Sequence, residues 1–576
     1  MNNLNTAISA LPPQASCAKS LHIQSTLDPF GMMLPMLSAQ YAWLTHPLEL
    51  TQKVRSLFDH VVALQWHSWQ RALGLPSNDL VKPHIDDTRF ADPIWSRSPT
   101  WDIYKQWYLL FTRETEDMLY QTPGLPEKDC HRAAFWWREY LNMMAPTNFL
   151  ATNPVAQRLA FESKGMSLIK GAQIFLEDMK FGNVQMSRIE HFTVGKHLGA
   201  TPGKVVLRNR LVEIIHYTPT AEKVYETPIV IATPWINKHY ILDLTPKKSM
   251  VKYLLDQGFE VFLTSWKNPT KDMADITFDD YLMLGIGEMI EVARNITGAK
   301  QVHAVGYCLG GAALSTYMAW ANRHYAPQDM PVCDFTLFAS MLDCQNPGDI
   351  EVFIDEPILK LLEKKMDKDG FLDGKDLATS FRLMRANGLI WHYVEHGYLY
   401  GEKPAPFDVL YWNMDTTRLP AAMHKWYLRE LYINNNLIKK DALTVAGEKI
   451  DLGRIVQPMY LVSTVDDHIT PWRSNFQTCN YIGGKSRFVL SSSGHILGIV
   501  NPAVASSRRE YSVESTEQND TTENWEQRAT KHAGSWWVDW MAWLKPQSGK
   551  LVSPGPVTTE QYPALADAPG TYVMER

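Results

Sequence analysis

A single cysteine lies between two glycines at the point where an apolar, partly β-branched segment changes into a helix-forming one. The segment Gly306-Tyr307-Cys308-Leu309-Gly310 repeats the G-x-S-x-G spacing of a nucleophile elbow, with sulfur in place of oxygen. Such a turn needs glycines because Cβ atoms close to the nucleophile do not fit. The pattern predicts a strand, a sharp turn and a helix, with Cys308 as a nucleophile. A cysteine that only packs between glycines is the alternative.

Two further polar groups follow the cysteine in the order that an elbow nucleophile needs. Asp467 comes after the apolar segment QPMYLVSTV, and His495 comes after SRFVLSSS. An acid and then a histidine, each after a later strand, complete a triad at the sheet edge where ligands bind. We therefore predict that Cys308, Asp467 and His495 form a catalytic triad. Taken alone, His495 could cap a turn, and Asp467 could cap a helix that begins near Pro471.

Other residues of the same types receive more ordinary interpretations. His468 is interpreted as packing against or orienting its neighbour, with a second base as the alternative, and Asp466 as a solvated side chain. Cys333, Cys344 and Cys479 lack an elbow and are interpreted as structural.

A thiol at the elbow favours acyl exchange over simple ester hydrolysis. A free thiol with a pKa of about 8.5 is mostly protonated at neutral pH, so His495 is expected to remove its proton. A thiolate exchanges acyl groups readily with another thioester because nucleophile and leaving group are then alike. For the oxyanion hole we predict the backbone N–H groups of Leu309 and Trp235, the latter in the loop after IVIATPW. Pro234 has no N–H to donate.

The elements that must position these residues follow from the pattern of apolar residues after about residue 195. Short β-rich segments are separated by helical stretches such as SMVKYLLDQG, which predicts an α/β fold with a mainly parallel sheet covered on both faces. The strand candidates are VVLRNRLVEIIHY, TPIVIATPW, GFEVFLTSW, QVHAVGY, DFTLFASM, QPMYLVSTVDD and SRFVLSSSGH.

The rest of the chain suggests two domains. Residues 1–195 are predicted to form a mostly helical N-terminal domain that is loosely ordered up to about Phe30. Residues 196–576 are predicted to form the catalytic domain. Within it, the helix-like, aromatic-rich interval of about 344–445 is interpreted as a cap inserted over the carboxyl edge of the sheet. The end of the chain, from about Val552, is interpreted as a tail rich in proline, glycine and alanine.

Composition excludes several classes of function. The 576 residues carry a formal net charge of −6, so no overall basic field attracts nucleic acid or an anionic membrane. The cysteines are far apart, without C-x-x-C pairs or zinc spacing, so we expect neither a metal nor a disulfide framework. No signal peptide or transmembrane segment is recognisable, which predicts a soluble cytosolic protein. The six cysteines are residues 17, 130, 308, 333, 344 and 479.

Several longer segments resemble one known family, the polyhydroxyalkanoate synthases. The resemblance runs from about residue 145 to the tail, with consistent order and spacing, and is weak over about residues 1–90. Its motifs are APTNFLATNP from Ala145, TPWINKHYILDL from Thr233, GYCLGG around Cys308, LYWNMDTTRLP from Leu410, VDDHITPW around Asp467 and SSSGHILGIVNP around His495.

The resemblance implies an α/β-hydrolase fold with an inserted cap that polymerises (R)-3-hydroxyacyl-CoA into polyester and releases CoA. Cys308 would hold the growing chain as a thioester, His495 would activate the thiol, and Asp467 would assist the 3-hydroxyl of the substrate, directly or through His495. CoA is part of the substrate, and no cofactor is expected. The resemblance also implies a homodimer at the surface of cytoplasmic polyester granules, together with granule-associated proteins.

Residues around the triad bear on the substrate and on competing functions. Tyr307 and Leu309 resemble the class I type, which uses short acyl groups such as 3-hydroxybutyryl. Ile496 and Leu497 are predicted to line the acyl pocket, with ordinary packing as the alternative. The rival in the same fold is a thioesterase or polyester depolymerase that uses the triad on water. A granule-coating scaffold without activity is the non-enzymatic alternative.

Overall fold

The computed structural model of the chain describes residues 32–84, 87–505 and 507–576. These residues form two compact units, one up to Arg188 together with Thr379–Ala405, the other comprising Ile189–Ala378 and Pro406–Arg576. The prediction of loose order at the start of the chain lies outside the described residues. Thr379–Ala405 is part of the interval interpreted as a cap, and the structure groups it with the N-terminal unit. The domain boundary at residue 195 and the cap interpretation stay predictions.

The first unit is built from helices, as its apolar periodicity predicts. Asn153 and Pro154 show how the sequence sets a boundary, because the Asn153 side chain accepts a hydrogen bond from the N–H of Ala156 and proline is the first helical residue. Gly165, at a φ of +83°, separates the last two helices of the N-terminal part. The helices are Met33–Thr45, Pro47–Ala72, Ile94–Arg97, Pro99–Tyr120, Glu127–Met143, Pro154–Glu162, Met166–Phe181 and, after the excursion into the other unit, His392–Val394.

The second unit is organised around one sheet. Its strands are β1 (Gly203–Arg208), β2 (Val212–Tyr217), β3 (Ile229–Ala232), β4 (Val261–Trp266), β5 (Val302–Tyr307), β6 (Val332–Phe338), β7 (Met459–Thr464), β8 (Ser486–Ser491), β9 (Glu510–Ser515), β10 (Thr530–Ala533) and β11 (Ala566–Asp567). Their spatial order is β10-β9-β8-β7-β6-β5-β3-β4-β2-β1-β11.

The centre of this sheet is parallel and its two sides are antiparallel. Strands β4, β3, β5, β6, β7 and β8 pair in parallel, whereas β2, β1 and β11 on one side and β9 and β10 on the other pair in antiparallel fashion. The expectation of a mainly parallel sheet therefore holds for its six central strands. Because parallel strands point the same way, the loops after β3, β5, β7 and β8 leave at one edge.

Helices accompany the sheet, and strands β3, β5 and β7 are buried along their whole length. The helices of this unit are Met250–Asp256, Phe278–Asp280, which continues through a π-helical turn into Glu288–Thr297, Leu309–His324, Glu356–Asp369, Gly374–Leu383, Asp408–Met414, Ala421–Tyr427, Trp472–Phe476, Thr478–Tyr481, Thr522–Arg528 and Trp537–Leu544. Gly374–Leu383 extends across the boundary between the units. Among the described residues, no helix combines the length and the apolar character that spanning a membrane requires.

The end of the chain is more ordered than the sequence suggested. Strand β11 lies within the segment interpreted as a tail and pairs with β1 at the edge of the sheet. Close to it, the buried carboxylate of Glu213 accepts hydrogen bonds from the backbone N–H groups of Thr571 and Tyr572, at 2.9 and 3.0 Å. Composition alone did not predict this pairing, because these contacts join segments that are far apart in the sequence.

Candidate active site

The strand, turn and helix predicted around Cys308 are present. Strand β5 ends at Tyr307, and the helix that begins at Leu309, here called the elbow helix, has Cys308 as its N-cap. Cys308 has a φ of +52° and a ψ of −117°, a conformation that side-chain-bearing residues rarely adopt. Its backbone N–H donates a hydrogen bond to the carbonyl oxygen of Phe338 at 2.8 Å, which holds the corner against β6. The thiol is half-buried at the carboxyl edge of the sheet.

The three glycines of the elbow are needed because other atoms lie where a Cβ atom would be. A Cβ on Gly306 would lie 2.5 Å from the Cα of Gly311, and one on Gly310 would lie 2.2 Å from the carbonyl oxygen of Ala232. A Cβ on Gly311 would lie 1.9 Å from the Oγ of Ser340. These approaches pack the first turn of the elbow helix directly against the end of β3.

Gly310→Ala is expected to destabilise the second unit by about 1–3 kcal/mol, because the added methyl meets a backbone carbonyl that cannot move aside. Gly388→Ala is the matched control, since no atom lies within 4 Å of its added Cβ, and it should change the free energy of unfolding by less than about 1 kcal/mol. Urea unfolding of both variants checks this. Equal stability of the two would contradict the close packing of the elbow.

His495 and Asp467, the other two predicted members of the triad, are in direct contact. The Nδ1 atom of His495 lies 2.7 Å from the Oδ2 atom of Asp467, and both side chains are buried. Asp467 follows β7, and His495 follows β8, the next strand of the sheet. Cys308 packs against the same hydrophobic cluster as Ile496 and Leu497, the two residues that follow His495, and its interaction with His495 helps to raise the pKa of that histidine. The structure thus brings together three side chains that are far apart in the sequence.

A local network fixes the carboxylate of Asp467. Oδ1 accepts the backbone N–H groups of Ile469 and Thr470, each at 2.9 Å. Oδ2 accepts the hydroxyl of Thr470 at 2.9 Å and that of Thr464 at 3.2 Å, besides its contact with His495. With both oxygens engaged in this way, Asp467 can neither rotate freely nor leave the histidine.

The charges in this cluster shift two pKa values in opposite directions. Burial alone would lower the pKa of His495, but the charge of Asp467, the interaction with Cys308 and the hydrogen bond to Asp467 outweigh burial and raise that pKa to about 10. Burial alone would raise the pKa of Asp467, but the charge of His495 and the hydrogen bonds from His495 and Thr470 hold it below its usual range. At neutral pH the site therefore favours an imidazolium beside a carboxylate.

This pairing makes the stability of the fold depend on pH. The pKa of His495 rises from 6.5 to about 10 on folding, so its stabilising contribution is complete below pH 6.5 and is lost as the pH approaches 10. Between these values, the urea midpoint of the wild type is expected to fall more steeply than that of His495→Gln. Parallel pH profiles of the two proteins would show that the pairing contributes nothing to folding.

The two backbone groups predicted for the oxyanion hole lie at the ends of β3 and β5. Leu309 is the first residue of the elbow helix, where N–H groups lack intrahelical partners. Trp235 follows β3, is buried, and packs its indole ring against Trp266, Tyr281 and Tyr427. The loop that leads to Trp235 passes along Gly310, next to the thiol. Their function as oxyanion donors stays a prediction.

Ile496 and Leu497, predicted to line an acyl pocket, are half-buried and pack against the same hydrophobic cluster as Cys308. Tyr307 stabilises the loop that contains His495, Ile496 and Leu497, because its hydroxyl donates a hydrogen bond to the carbonyl oxygen of His495 at 3.1 Å. The rings of Tyr307 and His495 also lie nearly parallel, with their centroids 5.7 Å apart. The position of Ile496 and Leu497 agrees with a pocket wall, and their function there stays a prediction.

The structure adds residues to the site that sequence reasoning missed. Tyr427 is buried, Tyr432 is half-buried, and both pack in the same hydrophobic cluster as Cys308. Removal from solvent raises the pKa values of both hydroxyl groups. Their rings lie 5.6 Å apart, and Tyr427 also contacts Trp235. Thr470 is the second omission, since its hydroxyl contacts both Asp467 and, at 3.3 Å, His495. Thr470 could have been found from the sequence because it lies in the motif VDDHITPW. No local sequence pattern indicates that Tyr427 and Tyr432 belong to the site.

The remaining candidates have ordinary positions. Asp466 is exposed and His468 is half-buried. Cys344 and Cys479 are buried, and burial raises the pKa values of their thiols. Cys333 is half-buried at the other end of the sheet, beside His303.

The central parallel sheet, the strained elbow and the acid and histidine after later strands define the chain as an α/β-hydrolase-fold protein, and the sequence model of that fold matches residues 239–356. The model described as the poly-beta-hydroxybutyrate polymerase (PhaC) N-terminus matches residues 86–254. The chain therefore belongs to the poly(3-hydroxyalkanoate) polymerase family, because curated members of that name match it along almost its whole length. The resemblance seen in the motifs is thereby confirmed.

Three of these relatives show the extent of the similarity. The poly(3-hydroxyalkanoate) polymerase of Methylorubrum extorquens is 38% identical over 97% of this chain and 92% of the relative. The polymerase subunits of Rhizobium meliloti, strain 1021, and Cupriavidus necator are 36% and 37% identical. They cover 96% and 85% of this chain, and 90% and 84% of their own lengths.

Proposed function

We propose that this chain polymerises (R)-3-hydroxyacyl-CoA into a polyester and releases CoA, with the growing chain held as a thioester on Cys308. Family membership supports the overall reaction. The observation that supports the covalent step is the strained cysteine at the strand-to-helix corner, packed beside the loop of His495, a histidine that Asp467 holds in turn. No other described cysteine combines these features.

The first step transfers the acyl group to the enzyme. His495 holds the proton of Cys308 as an imidazolium, and the thiolate sulfur attacks the carbonyl carbon of the acyl-CoA thioester. The bond from that carbon to the CoA sulfur breaks, and the departing CoA thiolate receives the proton from His495. The raised pKa of His495 suits this exchange, because the ring keeps the proton at neutral pH while the thiolate reacts.

The second step extends the polyester. The 3-hydroxyl group of a second acyl unit attacks the carbonyl carbon of the thioester on Cys308. An ester bond forms, and the carbon–sulfur bond at Cys308 breaks. The hydroxyl proton passes to His495 and from there to the departing thiolate.

The structure favours one of the two functions left open for Asp467. Both of its oxygens are already occupied, Oδ1 by two backbone N–H groups and Oδ2 by His495, Thr470 and Thr464. A direct contact with the 3-hydroxyl would require one of these bonds to break. We therefore infer that Asp467 acts through His495, by orienting the ring and stabilising its charged form.

The backbone N–H groups of Leu309 and Trp235 are proposed to bind the carbonyl oxygen as it becomes negatively charged. The support is indirect: Leu309 begins the elbow helix, and the loop before Trp235 lies against Gly310.

The surroundings of the thiol support polymerisation over hydrolysis. Trp235, Tyr427 and Tyr432 form an aromatic wall near Cys308, and a dry site protects a thioester from water. Short acyl groups are the proposed substrates, with Ile496 and Leu497 limiting their length.

Homodimer formation and attachment to polyester granules are proposed as further properties. The first two helices of the described chain support contact with an apolar surface, because many large apolar side chains on them are exposed. Sedimentation velocity measures the oligomeric state, and granule flotation measures the attachment. The exposed side chains include Leu37, Tyr41, Leu44, Leu48, Phe58, Trp66 and Trp69.

The test is incubation of the purified protein with (R)-3-hydroxybutyryl-CoA and with longer 3-hydroxyacyl-CoA substrates. We expect insoluble polyester and one CoA released per unit incorporated, at a rate that falls as the acyl group lengthens. Free 3-hydroxybutyrate without polymer would instead identify a thioesterase. Equal rates at all lengths would contradict the proposed short-chain preference while leaving the polymerase reaction intact.

A further inference from the structure

A second cluster of chemically reactive side chains lies at the opposite end of β5 and β6 from the thiol of Cys308. His303 is the second residue of β5, and Cys333 and Asp334 are the second and third residues of β6. His303 and Asp334 are each 1% exposed, and Cys333 is half-buried. Neither the proposed polymerisation nor the catalytic triad uses these groups.

A β-bulge brings the three side chains together. Consecutive residues of a regular strand point to opposite faces, so Cys333 and Asp334 would normally diverge. Here Val302 pairs with Val332 and His303 pairs with Asp334, which leaves Cys333 as the extra residue of the bulge. The Sγ atom of Cys333 consequently lies 3.4 Å from the Nδ1 atom of His303 and 3.3 Å from the Oδ2 atom of Asp334.

The ligand atoms have spacings that a metal ion can bridge. With metal–nitrogen and metal–oxygen bonds of about 2.0–2.1 Å and a metal–sulfur bond of about 2.3 Å, tetrahedral ligands lie roughly 3.3–3.6 Å apart. Both separations from sulfur agree with these values. The third separation, from His303 Nδ1 to Asp334 Oδ2, is 2.7 Å and needs to open by about 0.6 Å.

The outer contacts of the cluster prepare His303 as a ligand. Ser548 donates its hydroxyl proton to the carbonyl oxygen of Leu544 at 2.8 Å, so its oxygen accepts the proton of His303 Nε2 at 3.0 Å. A proton on Nε2 leaves the lone pair of Nδ1 available on the side of Cys333 and Asp334. A hydrogen bond of this kind to the outer nitrogen accompanies most histidine ligands of metals.

Asp334 supplies a second sign that the cluster is incomplete as it stands. Its Oδ1 atom is buried and has no hydrogen-bond partner among the described residues. An unpaired buried carboxylate oxygen is costly, and a bound cation would compensate its charge.

We propose that His303, Cys333 and Asp334 form a zinc site with a water molecule as fourth ligand on the partly exposed side of Cys333. Binding displaces the thiol proton of Cys333 and the proton shared by His303 Nδ1 and Asp334 Oδ2, which lie 2.7 Å apart, and releases both to solvent with no change in oxidation state. The ion ties the first residues of β5 to β6, and β5 is the strand that ends at the elbow. Sequence spacing did not reveal this site because its ligands come from two separate strands and meet only through strand pairing.

Cobalt(II) is the probe, because a thiolate–cobalt bond gives a charge-transfer absorption that nitrogen and oxygen ligands do not. The titration uses Cys308→Ala protein that has been reduced and treated with chelator, since Cys308, His495 and Asp467 could also bind cobalt. We expect one cobalt ion per chain with this absorption, and its displacement by one equivalent of zinc. Absence of the absorption in Cys308→Ala protein would overturn the proposal.

Substitutions in the same background assign the ligands. Cys333→Ser should abolish the thiolate absorption, Asp334→Asn should weaken zinc binding by about tenfold or more, and Cys479→Ser, the matched thiol control, should change neither. Persistence of the absorption in Cys333→Ser would overturn the proposal. If the Cys333→Ser variant does not fold, X-ray absorption of zinc-loaded Cys308→Ala protein shows whether sulfur is a ligand of the metal. One sulfur neighbour at about 2.3 Å supports the site, and only nitrogen and oxygen neighbours refute it.

Discussion

Replacing Cys308 by alanine is expected to reduce polyester formation by at least about a thousandfold and to abolish acyl loading of the protein. The reason is that the proposed reaction passes through a thioester on this sulfur, and alanine offers no nucleophile. Folding should be retained, because alanine at the same positive φ meets the same backbone strain as cysteine. Mass spectrometry of wild-type protein trapped during turnover should find the acyl group on residue 308.

Cys344→Ala is the informative control for this experiment. Cys344 is buried near the same two tyrosines as Cys308, Tyr427 and Tyr432, but it lies outside the elbow. We expect this variant to remain active and to load normally. Acyl groups found on Cys344, or polymer formed in cells by the Cys308→Ala variant, would contradict the assignment of Cys308 as the nucleophile. The latter result would favour the non-enzymatic scaffold.

Asp467→Asn is expected to lower turnover by about a thousand- to ten-thousandfold without displacing the side chain. The amide is nearly the same size as the carboxylate, but it neither carries the charge that raises the pKa of His495 nor fixes the same proton arrangement on the ring. The pKa of His495 should therefore fall in this variant, which NMR titration of the histidine measures. Asp466→Asn, at the exposed neighbouring carboxylate, is the matched control and should be close to wild type.

The same variant distinguishes the two functions considered for Asp467. If Asp467 acts through His495, both acyl loading and chain extension slow down, because His495 moves the proton in both steps. If Asp467 contacts the 3-hydroxyl directly, loading stays fast and only extension slows, so an acylated protein accumulates. Rapid-mixing measurements of CoA release in the first turnover separate these outcomes. A full burst of CoA in Asp467→Asn would contradict the indirect function that the hydrogen-bond network supports.

The metal cluster and the triad place chemistry at both ends of one strand. Strand β5 ends at Tyr307, next to the strained Cys308, and begins at Val302, next to His303. A strand buried along its length, with both neighbours paired in parallel, is close-packed and deforms little, so a constraint at one end is felt at the other. A tie at the opposite end would reinforce the same strand.

Much of the catalytic geometry was predictable from sequence because its signals are local. The elbow depends on the glycines that flank Cys308. Glycine is required at each of these positions because a neighbouring atom leaves no room for a Cβ. The order of Asp467 and His495 after β-rich segments was sufficient to place them at one edge, since parallel strands end together. The helix boundary at Asn153-Pro154 was visible for the same reason.

Contacts between distant segments were not predictable in this way. Tyr427 and Tyr432 approach the thiol from an interval whose sequence shows only helical and aromatic character. The pairing of β11 with β1 and the grouping of Thr379–Ala405 with the N-terminal unit depend on which surfaces remain uncovered once the chain has folded.

The amino-acid sequence by itself indicated the candidate nucleophile, base and acid, because turn sterics and strand order restrict where such residues can lie. Only the tertiary structure decided that both oxygens of Asp467 are occupied, and that His303 meets Cys333 and Asp334 across a bulge. The physical reason is that hydrogen-bond partners and strand register are set by packing of the whole sheet, whose free energy is not the sum of local preferences.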